Sequence, residues 1–205
     1  MLSASGPTAG HVTRPSDHKE PEKIAWLQCV GSRDLNRCDN EYCSAVCCMY
    51  AVKEAVIAKE HIGEKFEPSI FYMDMRTHGK DFEKYYERAK SDGVRFVRSR
   101  VHTIDQVDDS GTLSLRYATE AGDIEYEEFD MVVLSVGMEP TVSATDLAEK
   151  MGIELNNFNF AKTDALAPVS TSKPGVFVAG VIQGCKDIPQ SVMEASAAAC
   201  SAGIS

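Results

Sequence analysis

Residues 23–48 read KIAWLQCVGSRDLNRCDNEYCSAVCC, and this stretch decides the fold. It opens with Lys23–Val30, a compact apolar run that predicts a β-strand. A polar loop follows, and Asp39 or Asn40 then offers an N-cap for a helix that runs to roughly His61. A strand, a loop and a helix in this order are typical of the start of a nucleotide-binding α/β fold.

The chain continues with alternating strands and helices and then turns to strands alone. Strands over Pro68–Met75 and Val94–Ile104, with a helix over Lys80–Ser91 between them, indicate a parallel sheet with right-handed crossovers. Two strands of a meander follow, over Thr112–Thr119 and Ile124–Phe129. The next predicted elements are a strand buried on both faces at Met131–Val136 and a helix with a loop at 141–169. A last buried strand at Val176–Ala179 and an Ala-rich helix at Pro189–Gly203 follow.

The predicted fold class is therefore α/β, a Rossmann-like parallel sheet with flanking helices and an inserted antiparallel meander. Residues 1–22 are rich in Ser, Gly, Pro and charge, and they are expected to form a connector. The hydrophobic content of 43% suffices for a core. That core is expected to need no metal and to include Trp26, Val132, Val133, Leu134 and Val178.

Five of the seven cysteines lie in the quoted stretch, at positions 29, 38, 43, 47 and 48. With no signal peptide at the start, a cytoplasmic location is expected, where thiols stay reduced and such a density favours an iron–sulfur cluster. Zinc, a redox-active dithiol and unrelated buried thiols remain alternatives. Adjacent cysteines are about 100° apart on a helix, so the stretch Cys43–Cys48 is expected to be an irregular first turn.

The net charge of −10 argues against a nucleic-acid partner and against docking on an anionic membrane surface. The chain also lacks an apolar run of membrane-spanning length, so direct membrane insertion is not expected.

The turn after the first strand departs from a dinucleotide site. A nucleotide-binding fold carries G-x-G-x-x-G there, whereas Cys29–Asp34 keeps only Gly31, and the bulkier residues prevent close approach of a pyrophosphate. The positive end of the helix would still stabilise thiolates. We infer that an iron–sulfur centre replaces a nicotinamide dinucleotide, and that neither NADH nor NADPH binds.

Four motifs resemble a known family: QCVGSRD, EYCSAVCCMYA, DMVVLSVG and GVFVAGVIQGCKDIPQSVMEASAAA, at 28–34, 41–51, 130–137 and 175–199. They are similar to the heterodisulfide reductase A subunit, an iron–sulfur flavoprotein, and to related quinone-interacting oxidoreductase flavoprotein subunits. The resemblance extends from about Ser3 to Ala202. It implies a pyridine-nucleotide-disulfide-oxidoreductase-like fold, close to thioredoxin reductase, and electron transfer between a [4Fe–4S] cluster and a flavin in a multi-subunit oxidoreductase.

The resemblance also implies which residues hold the cofactors. The ligands of the [4Fe–4S] cluster would be Cys29, Cys43, Cys47 and Cys48, with Cys38 a non-ligand or a fallback. The residues that line the FAD contact would be Gly180, Val181, Pro189, Gln190 and Ser191. One departure is that flavin reductases usually have Gly-Asp where this chain has Gly180-Val181. Cys185 and Cys200 are expected to be small packing residues and not a redox pair.

A second departure is that no G-x-G-x-x-G occurs in the 205 residues. The half that anchors FAD is therefore expected to lie elsewhere, with FAD present in the full-length protein and absent from this chain alone. The predicted domains are a connector at 1–22, a nucleotide-binding-like domain with the cysteines at 23–140 and a partial flavin-binding-like segment at 141–205. Other subunits of a redox complex would be the partners and would bind the substrate. Two alternatives remain open: a zinc-stabilised or scaffold domain without a redox role, and an ordinary NADH-dependent flavoprotein reductase.

Overall fold

The computed structural model describes residues 1–204 and divides the chain into two compact units. Unit 1 comprises Met1–Val30 and Cys47–Val136, and unit 2 comprises Gly31–Val46 and the chain from Gly137 onward. Among the described residues, no helix is long and apolar enough to cross a membrane. The predicted domain boundaries at residues 22 and 140 concern which part holds which cofactor, and they stay a prediction.

Unit 1 contains a parallel and an antiparallel sheet. Its elements are β1 Lys23–Val30, α1 Cys47–Ile62, β2 Glu67–Tyr72, α2 Phe82–Ser91, β3 Arg95–Arg98, β4 Thr103–Gln106, β5 Leu113–Ala118, β6 Ile124–Phe129 and β7 Met131–Val136. The parallel sheet has the order β3-β2-β1-β7, and the antiparallel meander has the order β4-β5-β6. The meander is inserted between β3 and β7, so the predicted α/β fold class is confirmed.

Strand β1 contributes to two separate cores, because its side chains point alternately to opposite faces of the sheet. Ile24 and Trp26 face one core, which contains the buried alanines and valines of α1. Ala25 and Leu27 face the other, which the meander closes with Leu115, Tyr117 and Phe129. Neither core contains a cysteine of the 29–48 stretch. This gives a physical reason for the expectation that the core needs no metal.

Phe71 on β2 is the centre of the second core, where its ring lies edge-on to Tyr117 at 4.9 Å and to Phe129 at 5.9 Å. The Phe71→Ala change is expected to lower the free energy of unfolding by about 3–5 kcal/mol, because it leaves a cavity among rings that cannot close it. Urea denaturation measures the difference. The control is Leu166→Ala, whose side chain is 96% exposed, and a loss below about 1 kcal/mol at Phe71 would contradict the packing described.

Two predicted elements differ at their ends. Helix α1 begins at Cys47 and not after Asp39 or Asn40, because the backbones of Asp34 and Asn40 exchange two hydrogen bonds that hold this segment as a short hairpin. The predicted strand Val94–Ile104 is divided into β3 and β4, which belong to different sheets. The stretch Cys43–Cys48 was expected to be an irregular first turn, and this holds for residues 43–46, whereas Cys47 and Cys48 are helical.

Two further expectations on burial were wrong. Strand β7, an edge of the parallel sheet, is not buried on both faces, because Leu134 and Val136 are 48% and 57% exposed. Leu134 therefore does not belong to the core, whereas Trp26 does. The predicted strand Val176–Ala179 is reduced to a single bridge between Ser170 and Phe177, since a tight turn returns the chain immediately.

Unit 2 consists of loops and helices around small bridges. Helix α3, Val142–Met151, is capped at its start by Thr141 and ends at Gly152, whose φ of 69° is left-handed. A 3-10 turn, Gly180–Ile182, precedes α4, Ile188–Ile204, which is the predicted Ala-rich helix. None of the residues described in α4 is buried.

Candidate functional site

Three of the four predicted ligands lie in unit 1. Cys29 is at the carboxyl end of β1, and Cys47 and Cys48 are the first two residues of α1. Their exposed fractions are only 4%, 2% and 4%. The parallel sheet explains this grouping, because the carboxyl ends of its strands and the amino ends of the following helices lie on the same side.

The backbone of Cys29 is unusual, since its φ of 61° lies in the left-handed region. The pairing of β1 with β7 shifts register between Leu27 and Val30, around this residue. A left-handed conformation costs free energy for any residue with a Cβ, and such strain concentrates at functional sites. The strand therefore turns at Cys29 in a way that its apolar sequence did not predict.

Cys47 is the thiol best prepared to be a thiolate. Hydrogen bonding from the Cys48 thiol, supported by the backbone amides of Cys47, Cys48 and Cys29, lowers the pKa of Cys47 to about 6 despite its burial. The amides of Cys47 and Cys48 lie at the positive end of α1, whose first turn has no acidic residue. Thiolates, and not thiols, ligate metals and clusters.

Cys48 is the complementary partner. The hydrogen bond to Cys47, followed by burial, raises the pKa of the Cys48 thiol well above its ordinary value. The backbone amide of Arg76 also bonds to the Cys48 sulfur and acts in the opposite direction. Arg76 follows β2 in a loop, and its guanidinium is paired with Asp74 at 3.0 Å. This loop is part of the site in unit 1.

Cys38 and Cys43 belong to the loop Gly31–Val46 of unit 2. Cys38 is exposed at the tip of the short hairpin that Asp34 and Asn40 close. Cys43 lies after the hairpin, and its sulfur accepts a hydrogen bond from the amide of Ala45 at 3.3 Å. The placement of Cys43 relative to the three thiols of unit 1 stays a prediction.

The donor chemistry of unit 1 fits an iron–sulfur cluster. Buried cysteine sulfurs with backbone amides directed at them are the environment in which protein thiolates hold such clusters. A group of three or more His, Cys, Asp or Glu side chains arranged around a single ion is not found among residues 1–204. A cubane distributes its four thiolates over four iron atoms, so its geometric requirement is different.

Within unit 2, the backbone of Met138 joins the cysteine loop to the segment before α4. The Tyr42 hydroxyl donates to the Met138 carbonyl at 2.8 Å, and the Cys185 thiol approaches the same oxygen at 3.7 Å. The Met138 amide donates to Ser44 Oγ at 3.1 Å. Because Tyr42 and Ser44 are the two neighbours of Cys43 in sequence, this clamp fixes the chain on both sides of a predicted ligand.

The predicted flavin-contacting residues also come together in unit 2. Gly180 and Val181 form the 3-10 turn, and a Cβ at Gly180 would lie 3.8 Å from Ser191 Cβ and Oγ in the first turn of α4. Gly180 has a φ of 75°, a conformation that glycine adopts without strain. Pro189 and Gln190 lie in the same first turn.

The start of α4 is closed by a reciprocal cap. Asp187 Oδ1 accepts from the Gln190 amide at 2.8 Å, and Gln190 Oε1 accepts from the Asp187 amide at 3.3 Å. Cys185 is half-buried, as suits the small packing residue that was expected, whereas Cys200 is exposed on α4 and does not match that expectation. None of the residues described in α4 is fully buried, and Cys200 is among the exposed ones.

Sequence reasoning missed the contributions of Arg76, Tyr42 and Met138. Arg76 and Met138 act through backbone atoms, which have no residue signature, so no pattern could have identified them. Tyr42 could have been noticed beside Cys43, because a tyrosine hydroxyl that packs against the protein needs a hydrogen-bond partner.

The family model described as pyridine nucleotide-disulphide oxidoreductase matches residues 69–199. The chain is 47% identical to an iron-sulfur A subunit (the second form) of CoB–CoM heterodisulfide reductase from Methanopyrus kandleri, over 97% of this chain and 31% of that protein. It is 43% identical to the iron-sulfur A subunit of the same reductase from Methanocaldococcus jannaschii, over 100% of this chain and 31% of that protein. The resemblance inferred from the motifs is confirmed, and the chain spans 31% of the length of these relatives.

Solved structures agree on the fold. Thioredoxin reductase from Lactococcus lactis superposes with a TM-score of 0.59 at 21% identity, covering 89% of this chain and 52% of that one. LpdA from Mycobacterium tuberculosis superposes with a TM-score of 0.55 at 14% identity, covering 91% and 36%. A parallel sheet with an inserted meander, found in the structure and matched by the family model, leads to one conclusion: the chain belongs to the pyridine nucleotide-disulphide oxidoreductase family.

Proposed function

We propose that this chain transfers electrons between a [4Fe–4S] cluster and a flavin, as part of an A subunit of the heterodisulfide reductase type. The proposed cluster ligands are Cys29, Cys43, Cys47 and Cys48. The proposed flavin contacts are Gly180, Val181, Pro189, Gln190 and Ser191. The observation that carries the proposal is the group of buried thiols at the amino end of α1, in a chain whose relatives are named iron-sulfur subunits.

Backbone amides of unit 1 stabilise negative charge on the sulfurs of the proposed ligands. Amides of Cys29, Cys47 and Cys48 are directed at the Cys47 sulfur, and the amide of Arg76 is directed at the Cys48 sulfur. Hydrogen bonds to ligating sulfurs withdraw electron density and favour a more reduced site. Because these donors are backbone atoms, they are in place before any group binds.

When bound, a cluster of this kind exchanges single electrons, whereas a flavin can also exchange electrons in pairs. In such an exchange, unit 2 would hold the loop around Cys43 and the proposed flavin contacts together in one packed unit. The Met138 clamp joins the residues around Cys43 to Cys185, which precedes the first turn of α4. This supports a short and fixed path between the loop of one proposed ligand and the proposed flavin contacts.

The proposed flavin contacts would act through the backbone and the helix. The positive end of α4 favours negative charge, although the Asp187 cap occupies its Gln190 amide. The Val181 side chain cannot bond to a ribityl hydroxyl as the usual Asp would, so that partner would be missing or supplied elsewhere. The adenine half of FAD would also be held outside this chain, which has no G-x-G-x-x-G.

The names of the relatives also support a multi-subunit assembly, because each relative is named as one subunit of a reductase. Other subunits of the redox complex would then bind the substrate and exchange electrons with this one. A nucleic-acid partner and direct membrane insertion are not part of the proposal, in keeping with the net charge of −10.

Anaerobic purification followed by iron, acid-labile sulfide and zinc analysis tests the proposal. We expect about four iron and four sulfide per chain, a brown colour and, in the full-length protein, bound FAD. The isolated chain is expected to retain little or no flavin, because it offers only half of the binding site. Binding there would still cost the entropy of ordering the flavin, but most of the favourable contacts would be lost.

An aerobically handled sample is the control, because oxygen should remove the cluster. Its circular dichroism should keep the signal of the sheet, since neither core contains a proposed ligand. Stoichiometric zinc without sulfide would favour the zinc-stabilised scaffold and overturn the redox assignment.

A further inference from the structure

Lys186 in unit 2 is a buried lysine, with 7% of its side chain exposed. Its ammonium donates to Gln183 Oε1 and to Glu194 Oε1, and the Glu194 side chain is itself only 17% exposed. By contrast, the Lys162–Glu154 pair of the same unit is 62% and 63% exposed. A buried ion pair is tolerated only when its remaining polar atoms are also satisfied.

The remaining polar atoms of this pair reach the 3-10 turn. Glu194 Oε2 accepts from the backbone amide of Gly180 at 2.9 Å. Gln183, which ends the 3-10 turn, donates from Nε2 to Thr163 Oγ1 at 3.0 Å. The network therefore links α4, the residues at both ends of the turn and the loop at Thr163.

The geometry of α4 relates this network to the proposed flavin contacts. Glu194 follows Gln190 by four residues and Ser191 by three, so it lies one turn further along the same side of the helix. Its carboxylate holds Gly180 beside Ser191, where a Cβ at Gly180 would be 3.8 Å from the serine. The carboxylate thus sets the spacing between the two halves of the proposed contact.

We propose that Lys186 and Glu194 are positioning residues for flavin, which hold the Gly180–Val181 turn against the first turn of α4. This inference rests on the proposed function. Lys186 orients the Glu194 side chain through their ion pair, and Glu194 holds the Gly180 amide, which consequently faces the protein and not the ligand. Preorganisation of this kind increases affinity because the contact is already ordered before binding.

Two double variants of the full-length protein separate positioning from charge burial. Lys186→Met with Glu194→Gln removes both charges and keeps an oxygen for the Gly180 amide. Lys186→Met with Glu194→Leu removes both charges and that oxygen. The first is expected to bind FAD within about threefold of the wild type, and the second at least about tenfold more weakly, because a buried amide loses its partner.

The measurements are titration of deflavinated protein with FAD, cluster absorbance and melting temperature. The control, Lys162→Met with Glu154→Leu, removes the exposed ion pair of the same unit and should leave the FAD affinity unchanged. Equal FAD affinity for the two test variants would overturn the inference. A fall in cluster absorbance that parallels the fall in affinity would also overturn it, since the network would then only maintain unit 2.

The wild type distinguishes this failure from failure of the proposed function. Full-length wild-type protein that contains the cluster but takes up no FAD would refute the proposed electron transfer to a flavin itself. Wild-type protein that binds FAD, with variants that bind it equally well, refutes only the role of Lys186 and Glu194.

Discussion

The Cys47→Ser change is expected to eliminate the iron–sulfur absorption of the anaerobically purified protein. A serine hydroxyl stays protonated at neutral pH and is a harder donor than a thiolate, so it is a poor ligand for a cluster. Position 47 should be the most sensitive, because its sulfur receives three backbone amides that a neutral hydroxyl cannot use as well. The same loss is expected for Cys29→Ser, Cys43→Ser and Cys48→Ser.

Cys38→Ser is the matched control within the same stretch of sequence. Cys38 is exposed at the hairpin tip, and its replacement should leave iron, sulfide and the visible spectrum at wild-type values. Cys200→Ser, on the exposed surface of α4, is a second control. If Cys38→Ser alone removes the iron while Cys43→Ser retains it, the ligand assignment is wrong and Cys38 takes the place of Cys43.

NADH and NADPH are expected not to bind measurably, although the chain belongs to a family named for pyridine nucleotides. The amides at the start of α1, which would hold a pyrophosphate in a dinucleotide site, are directed instead at the sulfur of Cys47. The loop Gly31–Val46 separates β1 from α1, whereas a dinucleotide site needs a tight glycine-rich turn there.

Isothermal titration calorimetry of the isolated chain measures this directly. A nicotinamide-dependent reductase of the same fold, titrated under the same conditions, confirms that the assay detects binding. A dissociation constant in the micromolar range for this chain would contradict the replacement of the nucleotide by a cluster, and it would support the NADH-dependent flavoprotein reductase instead.

The strands were the most predictable part of the fold. β1, β6 and β7 have the predicted bounds, because each is a short apolar or alternating run between turn residues. The start of α1 was not predictable from its neighbours. Asn40 looks like an N-cap, but its side chain donates to the Gly31 carbonyl at 3.0 Å, and its backbone pairs with Asp34. A contact made nine residues away thus overrides a local capping preference.

The candidate site also has some features that the sequence could predict and others that it could not. The proposed ligands could be named from the resemblance to a family with the same cysteine motif, because cysteine is a side chain with a recognisable ligand chemistry. The left-handed turn at Cys29 and the Arg76 amide could not, since both are properties of the backbone that the surrounding fold imposes. The exposure of Leu134 was missed for a related reason, because an apolar run reads alike in a central and in an edge strand.

The central position of β1 has a consequence for the timing of biosynthesis. One neighbour of β1 is β7, which is translated about a hundred residues later, and Val30 pairs with Val136 just beyond the turn at Cys29. At about 5–20 residues per second, the ribosome needs about 5–20 s to cover that interval. The thiols at positions 29, 47 and 48 are therefore synthesised before β7 can pair with β1 beside Cys29. Until that pairing forms, the strand that carries Cys29 lacks one of its two neighbours, and these thiols are open to oxidation.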